Sequence, residues 1–218
     1  MTAPSEASCR LVVTDVDSTF ITAEVIELLA EHAGTRAEVA AITERAMRGE
    51  LDFTASLHAR VATLAGLPVS VFAEVLSEVE LTPGARELVT ELRARGWPLA
   101  LVSGGFAEVV EPLAASLGIE HVRANRLEAR AGRLTGRVLG EVVDRAGKER
   151  ALREIAASLG IPLERTVAIG DGANDLDMLA AAGLGIAFNA KPLVCEKVRF
   201  EVTGRLDGVL AVIDAHPL

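Results

Sequence analysis

An α/β fold, a parallel sheet core with an inserted helical cap, is predicted by three features of this sequence. Four short apolar runs rich in branched residues recur along the chain, each followed by a helical pattern. After the first run comes a long stretch, 22–81, whose apolar residues keep helical spacing and which holds no good strand. The residues just after three of the runs are small, polar or acidic, as expected where strands end beside a ligand crevice.

In chain order, LVVT (11–14) is the first strand, and Asp15, Asp17, Ser18 and Thr19 follow it. Four helices are expected next, marked by Val25, Ile26, Leu28 and Leu29, by Val39, Ile42 and Met47, by Leu57, Val61 and Leu64, and by Val71, Val75 and Leu76. A further helix begins near Gly84. PLALV (98–102) is the second strand, leading into Ser103, Gly104 and Gly105 at a strand-to-helix turn. VRANRLEARAGRLTGRVLG (122–140) has the pattern of a β-hairpin turning near Ala131-Gly132. TVAI (166–169) then precedes Gly170, Asp171, Gly172, Asn174 and Asp175, LGIAF (184–188) is the last strand, and the tail ends in a helix. The expected division is 1–21 with 82–218 as the catalytic core and 22–81 as the helical cap.

Composition narrows the function classes. Half of the 218 residues are hydrophobic and mean hydropathy is +0.34, yet every apolar run is broken well before the ~20 residues of a membrane span. MTAPSEAS has neither a basic start nor an apolar core, so no targeting segment is expected and the cytoplasm is the expected location. Cys9 and Cys195 are far apart and lack metal-ligand spacing, which predicts inert reduced thiols. A net charge of −9, with no dense Lys/Arg run, argues against a nucleic-acid partner. The basic residues are 19 Arg and only three Lys, at 148, 191 and 197.

Asp15-Val16-Asp17 places two carboxylates at the end of a buried strand. One can attack phosphorus and form an acyl phosphate while its partner, with a raised pKa, moves protons. Taken alone, the pair more often marks a capping or calcium-loop motif. GDGANDLDML (170–179) adds Asp171 and Asp175, hard oxygen donors suited to Mg²⁺, although an acidic helix start reads the same way. Ser103-Gly104-Gly105 offers a hydroxyl and backbone amides to phosphate oxygens, and an SGG turn is common in any fold. Lys148 is a cation that could offset charge on a transferring phosphoryl group, or an ordinary solvated lysine.

Taken in order, DVDST (15–19), SGGF (103–106), Lys148 in AGKER and GDGANDLDM (170–178) resemble the four motifs of the haloacid dehalogenase (HAD) superfamily. Glu24, MRGELDFTASLHARV (47–61), ANRL (124–127) and NAKP (189–192) extend the resemblance to its phosphoserine phosphatases, over residues 10 to 200. The resemblance implies a Rossmann-like HAD core and hydrolysis of O-phospho-L-serine through an aspartyl-phosphate. It implies Asp15 as nucleophile and Mg²⁺ ligand, Asp17 as general acid/base and ligand through its carbonyl, and Asp171 as third ligand with Asp175 supporting it. Ser103, Gly104, Lys148 and Asn174 would surround the phosphate, Glu24 would receive the substrate ammonium and Arg60 its carboxylate.

An amino-acid head group needs an anion and a cation, and Arg offers a bidentate fork to carboxylate. Both residues also suit a plain helix surface, and Met47 and Phe53 suit either a cavity wall or core. Val16 stands where many relatives carry Phe, and no regulatory domain is expected. The competing reading is a phosphatase or phosphotransferase for another small phosphomonoester; a non-catalytic binder would not need Asp15, Asp17, Lys148 and Asp171 together. The expected partner is a small molecule, and the chain a monomer or homodimer.

Overall fold

A computed structural model describes residues 9–48 and 50–216, without the side chain of Met47. The readings of MTAPSEAS and of the Met47 side chain therefore lie outside the described residues. Seven strands form one mixed sheet in the order β4-β3-β2-β1-β5-β6-β7. Strand β1 (Leu11–Thr14) pairs in parallel with β2 (Leu99–Phe106) on one side and β5 (Thr166–Gly170) on the other. Next to β5 lies β6 (Leu184–Phe188), then β7 (Phe200–Val202); β3 (His121–Arg130) flanks β2, and only β4 (Arg133–Leu139) runs antiparallel.

Alternate residues of the central strands enter different cores. Val12, Leu99, Leu101, Val167 and Ile169 pack with α5 (Ala85–Ala94), α6 (Ala107–Ser116) and α10 (Val209–Ala215). Leu11, Val13, Ala100, Val102 and Ala168 pack with α7 (Arg145–Ser158) and α8 (Leu176–Ala181). A strand buried on both faces reads as an unbroken apolar run, and LVVT has this pattern because all four residues are buried. Between β1 and α5 come α1 (Val25–Ala33), α2 (Arg36–Met47), α3 (Phe53–Ala62) and α4 (Val71–Glu78), and the short α9 (Pro192–Cys195) follows β6. Val25, Leu29, Leu57, Val61, Leu64, Val71 and Val75 are buried together and join the core beneath them.

The hairpin turns at Ala131 and Gly132, with φ of +50° and +75°. A two-residue turn of this hand matches the right-handed twist of its strands, and glycine makes it accessible. Two elements differ from expectation. Ser103-Gly104-Gly105 is not a strand-to-helix turn: β2 continues to Phe106, and residues 103–105 face a single residue of β3, between the Val102↔Arg123 and Phe106↔Asn125 pairs. The three-residue β7 is too short to show a period in sequence; its pairing with β6 creates it. Among the described residues, no helix is long and apolar enough to cross a membrane, and both cysteines are free.

Candidate active site

Parallel pairing puts Thr14 beside Ile169, and the Asp15 amide donates to the Ile169 carbonyl at 2.9 Å. The acids that follow β1 and β5 are therefore neighbours at one end of the sheet. Carboxylate oxygens of Asp15, Asp171 and Asp175 lie within 4.8 Å of one another, all three residues buried. Lys148 reaches them from the first turn of α7, which starts where Asp144 caps the Gly147 amide at 2.8 Å. Its side chain is wholly buried; Nζ donates to Asp15 Oδ1 and, at 2.6 Å, to Asp175 Oδ1. Asp175 Oδ2 accepts from the Gly172 amide at 3.0 Å.

One buried ammonium faces three buried carboxylates. Burial opposes the charge on Lys148, but Asp15 and Asp175 outweigh it and hold the ammonium above its usual range. The acids remain short of positive charge. Burial pushes the Asp15 carboxyl up, Lys148 opposes this, and Asp175 and Asp17 add to it. Asp171 is pushed up to about 6 by burial and then by Asp175, with Lys191 opposing, its Nζ at 3.8 Å. A cluster of hard oxygen donors lacking cations fits a divalent metal ion.

The second acid has a different setting. Asp17 Oδ1 accepts from the Val25 amide at 2.9 Å and Oδ2 from the Ser103 hydroxyl at 3.1 Å. Burial and then the charge of Glu24 push it up to about 7, against the Val25 hydrogen bond, Lys148 and Ser103. This is the range in which a carboxyl can both give and take a proton near neutral pH. Gly105 leaves room for it: a Cβ there would lie 2.5 Å from Asp17 Oδ2. Gly172 serves the same way rather than through an unusual turn, since its φ is −109° and a Cβ would meet Asn174 Oδ1 at 2.4 Å.

Glu24 precedes α1 and accepts from the Ser18 hydroxyl at 2.7 Å. Arg60, in the last turn of α3, is half-buried, and its Nε donates to the Ser56 carbonyl of its own helix at 3.3 Å. It forms no ion pair among the described residues. Burial lowers its pKa while Glu24, Asp17 and Glu27 raise it, so the helical segment and the acid loop share one field. Phe53 closes over the glycine strand: a Cβ on Gly104 would come within 3.1 Å of its ring. Asn174 is half-buried beside Gly172.

Two residues were not singled out from the sequence. The Thr19 hydroxyl donates to Asp171 Oδ1 at 3.4 Å and follows from its place in DVDST. Asn125 is buried and bridges the Gly104 carbonyl to the Val143 amide; the signal was its place in ANRL, but no chemistry attached to it.

Comparison with known proteins agrees with this geometry. A family model described as haloacid dehalogenase-like hydrolase matches residues 12–180. The chain is 64% identical over 187 residues to a phosphoserine phosphatase of Streptomyces coelicolor, covering 86% of this chain and 46% of that relative, so it spans about half of that protein's length. It is 53% identical to a phosphoserine phosphatase of Streptococcus thermophilus, covering 88% of this chain and 90% of the relative. A solved phospho-aspartyl intermediate analogue of phosphoserine phosphatase is 42% identical, with a TM-score of 0.88, over 94% of this chain and 99% of that one. The chain therefore belongs to the haloacid dehalogenase-like hydrolases, in the branch defined by its phosphoserine phosphatase relatives.

Proposed function

We propose that this chain hydrolyses O-phospho-L-serine to L-serine and phosphate through an aspartyl-phosphate on Asp15. The observation that carries the proposal is the buried Asp15–Lys148–Asp175 cluster, with Asp17 beside it and the guanidinium of Arg60, which has no ion pair among the described residues, in the field of Glu24 and Asp17. Residues 22–81 act in this reading as a cap over the core.

Asp15 attacks phosphorus with a carboxylate oxygen, and the bond from phosphorus to the seryl oxygen breaks. Asp17 gives its proton to that oxygen, so serine leaves neutral at its hydroxyl. Asp17 then takes a proton from water, whose oxygen attacks phosphorus and releases Asp15 and phosphate. Lys148 balances charge on Asp15 and on the phosphoryl oxygens, while Ser103, Gly104 and Asn174 surround the group being transferred. Mg²⁺ is the proposed ion; Asp15, Asp171 and the Asp17 carbonyl would hold it with Asp175 alongside, and it would supply positive charge to the phosphate oxygens. Glu24 receives the ammonium and Arg60 the carboxylate. Phe53 excludes water above Gly104.

The test is phosphate release with Mg²⁺ from phosphoserine, phosphothreonine, phosphoethanolamine and glucose 6-phosphate, by wild type and Arg60→Ala. Phosphoserine should lead, EDTA should stop turnover, and Arg60→Ala should lose mainly phosphoserine. Equal rates on all four, or a preference for the sugar phosphate, would remove the substrate assignment.

A further inference from the structure

We infer that Asn125 is a positioning residue for phosphoryl transfer, a side chain that replaces missing sheet bonds and locks the Gly104 segment to the approach of the Lys148 helix. The inference rests on the proposed phosphatase reading and extends it to a residue without a place in the chemistry above.

The extra residues of β2 at 103–105 break the regular pairing of β2 with β3. Buried backbone groups left without partners are costly, so the segment needs another source of hydrogen bonds. Asn125 stands where pairing resumes, opposite Phe106, and is 1% exposed. Its Nδ2 donates to the Gly104 carbonyl and its Oδ1 accepts from the Val143 amide, both at 2.8 Å. The carbonyl and the amide fix which end of the side chain is which.

These two partners matter for position. Gly104 lies next to Ser103, whose hydroxyl donates to Asp17 and accepts from the Gly105 amide at 2.7 Å. Val143 immediately precedes Asp144, the cap of α7, and so sets the entry of the helix that carries Lys148. One planar amide thus ties together two neighbouring segments, the glycine stretch beside Ser103 and the residue that leads into the helix of Lys148. The same hairpin is bonded at its tip to the helical segment: Leu134 exchanges backbone bonds with Gly66 and Leu67, Val69 donates to Gly132, and Arg133 donates to the Gly66 carbonyl. Asn125 sits at the foot of a strut that runs from the proposed cap to the site.

Asn125→Asp keeps the shape and the acceptor but sets a carboxylate against the Gly104 carbonyl; Asn125→Ser is too short to span both partners. With Mg²⁺, each is expected to lower kcat/KM on the order of 10- to 100-fold for both phosphoserine and p-nitrophenyl phosphate. The ratio between the two substrates should stay constant, because Glu24 and Arg60 are untouched. Inorganic phosphate, titrated by calorimetry against the folded protein, should bind at least about tenfold more weakly. A merely structural residue would lower the melting temperature and leave phosphate affinity and kcat per folded molecule within threefold of wild type, and that result overturns the inference. Asn125→Gln, which keeps both groups but shifts them by one methylene, gives the same readouts if the other two variants do not fold. A wild type that binds phosphate yet leaves phosphoserine intact would remove the substrate reading, and the phosphate titration would still decide on Asn125.

Discussion

Lys148→Met removes the ammonium while keeping most of the side-chain volume, and so isolates charge from packing. Lys148 is completely buried and is bonded to two carboxylates, with the third acid of the cluster close by. Removing one partner from a buried ion pair typically costs about 3–5 kcal/mol, because the remaining charge stays buried without a counter-charge. For a chain of this size each kcal/mol shifts the melting temperature by roughly 2–4 °C, so a loss on the order of 10 °C is expected in EDTA at pH 8. The sign with pH follows from the acids. Carboxyls raised by burial can take up protons in place of the lost ammonium, so the deficit should shrink as pH falls to about 5. Thermal unfolding of wild type and variant in EDTA at both pH values measures this. A melting temperature within 2 °C of wild type at pH 8, or a deficit that does not change with pH, would refute the charge-balance reasoning.

Three further outcomes follow from the same geometry. Asp17 and Asp171 are raised to about 7 and about 6, so the metal-free fold binds more protons than the unfolded chain between pH 4 and 7 and loses that stability as pH rises through this window; Mg²⁺ should accordingly raise the melting temperature more at pH 8 than at pH 5.5, and an equal shift would count against it. Gly105→Ala would drive a Cβ to 2.5 Å from Asp17 Oδ2 and should lower kcat by roughly 100-fold. Gly132→Ala, at a φ of +75° with open space around it, should cost about 1–2 kcal/mol of stability and leave kcat as it was; kinetics and melting curves on both variants separate the two effects.

The parts legible in sequence were those in which a residue's neighbours along the chain decide its role. LVVT and LGIAF are buried strands whose apolar runs end where the strands end. Ala131-Gly132 specifies its own turn. The acids after β1 and β5 meet because parallel register carries adjacent strand ends to one edge. Roles created by distant segments were harder to see. Ser103-Gly104-Gly105 reads as a turn, and only its pairing with β3 makes it an irregular strand. Gly172 is one small residue among several after β5 in sequence, whereas in the fold its lack of a side chain makes room for Asn174. Asn125 looks like a polar strand residue until Gly104 and Val143 are brought to either side of it. Phe53 is a helix-start aromatic whose contact with Gly104 arises only when the fold brings the start of α3 to β2.

The most direct test of the proposed chemistry is to mix the Mg²⁺-supplemented protein with phosphoserine labelled with ³²P, quench in acid within milliseconds, and map the label. Label is expected on Asp15 as a hydroxylamine-sensitive acyl phosphate that turns over at a rate matching steady-state hydrolysis, with neither label nor turnover in Asp15→Asn. Sustained phosphoserine hydrolysis with no protein-bound label, or with undiminished turnover in Asp15→Asn, would contradict a covalent route through this residue.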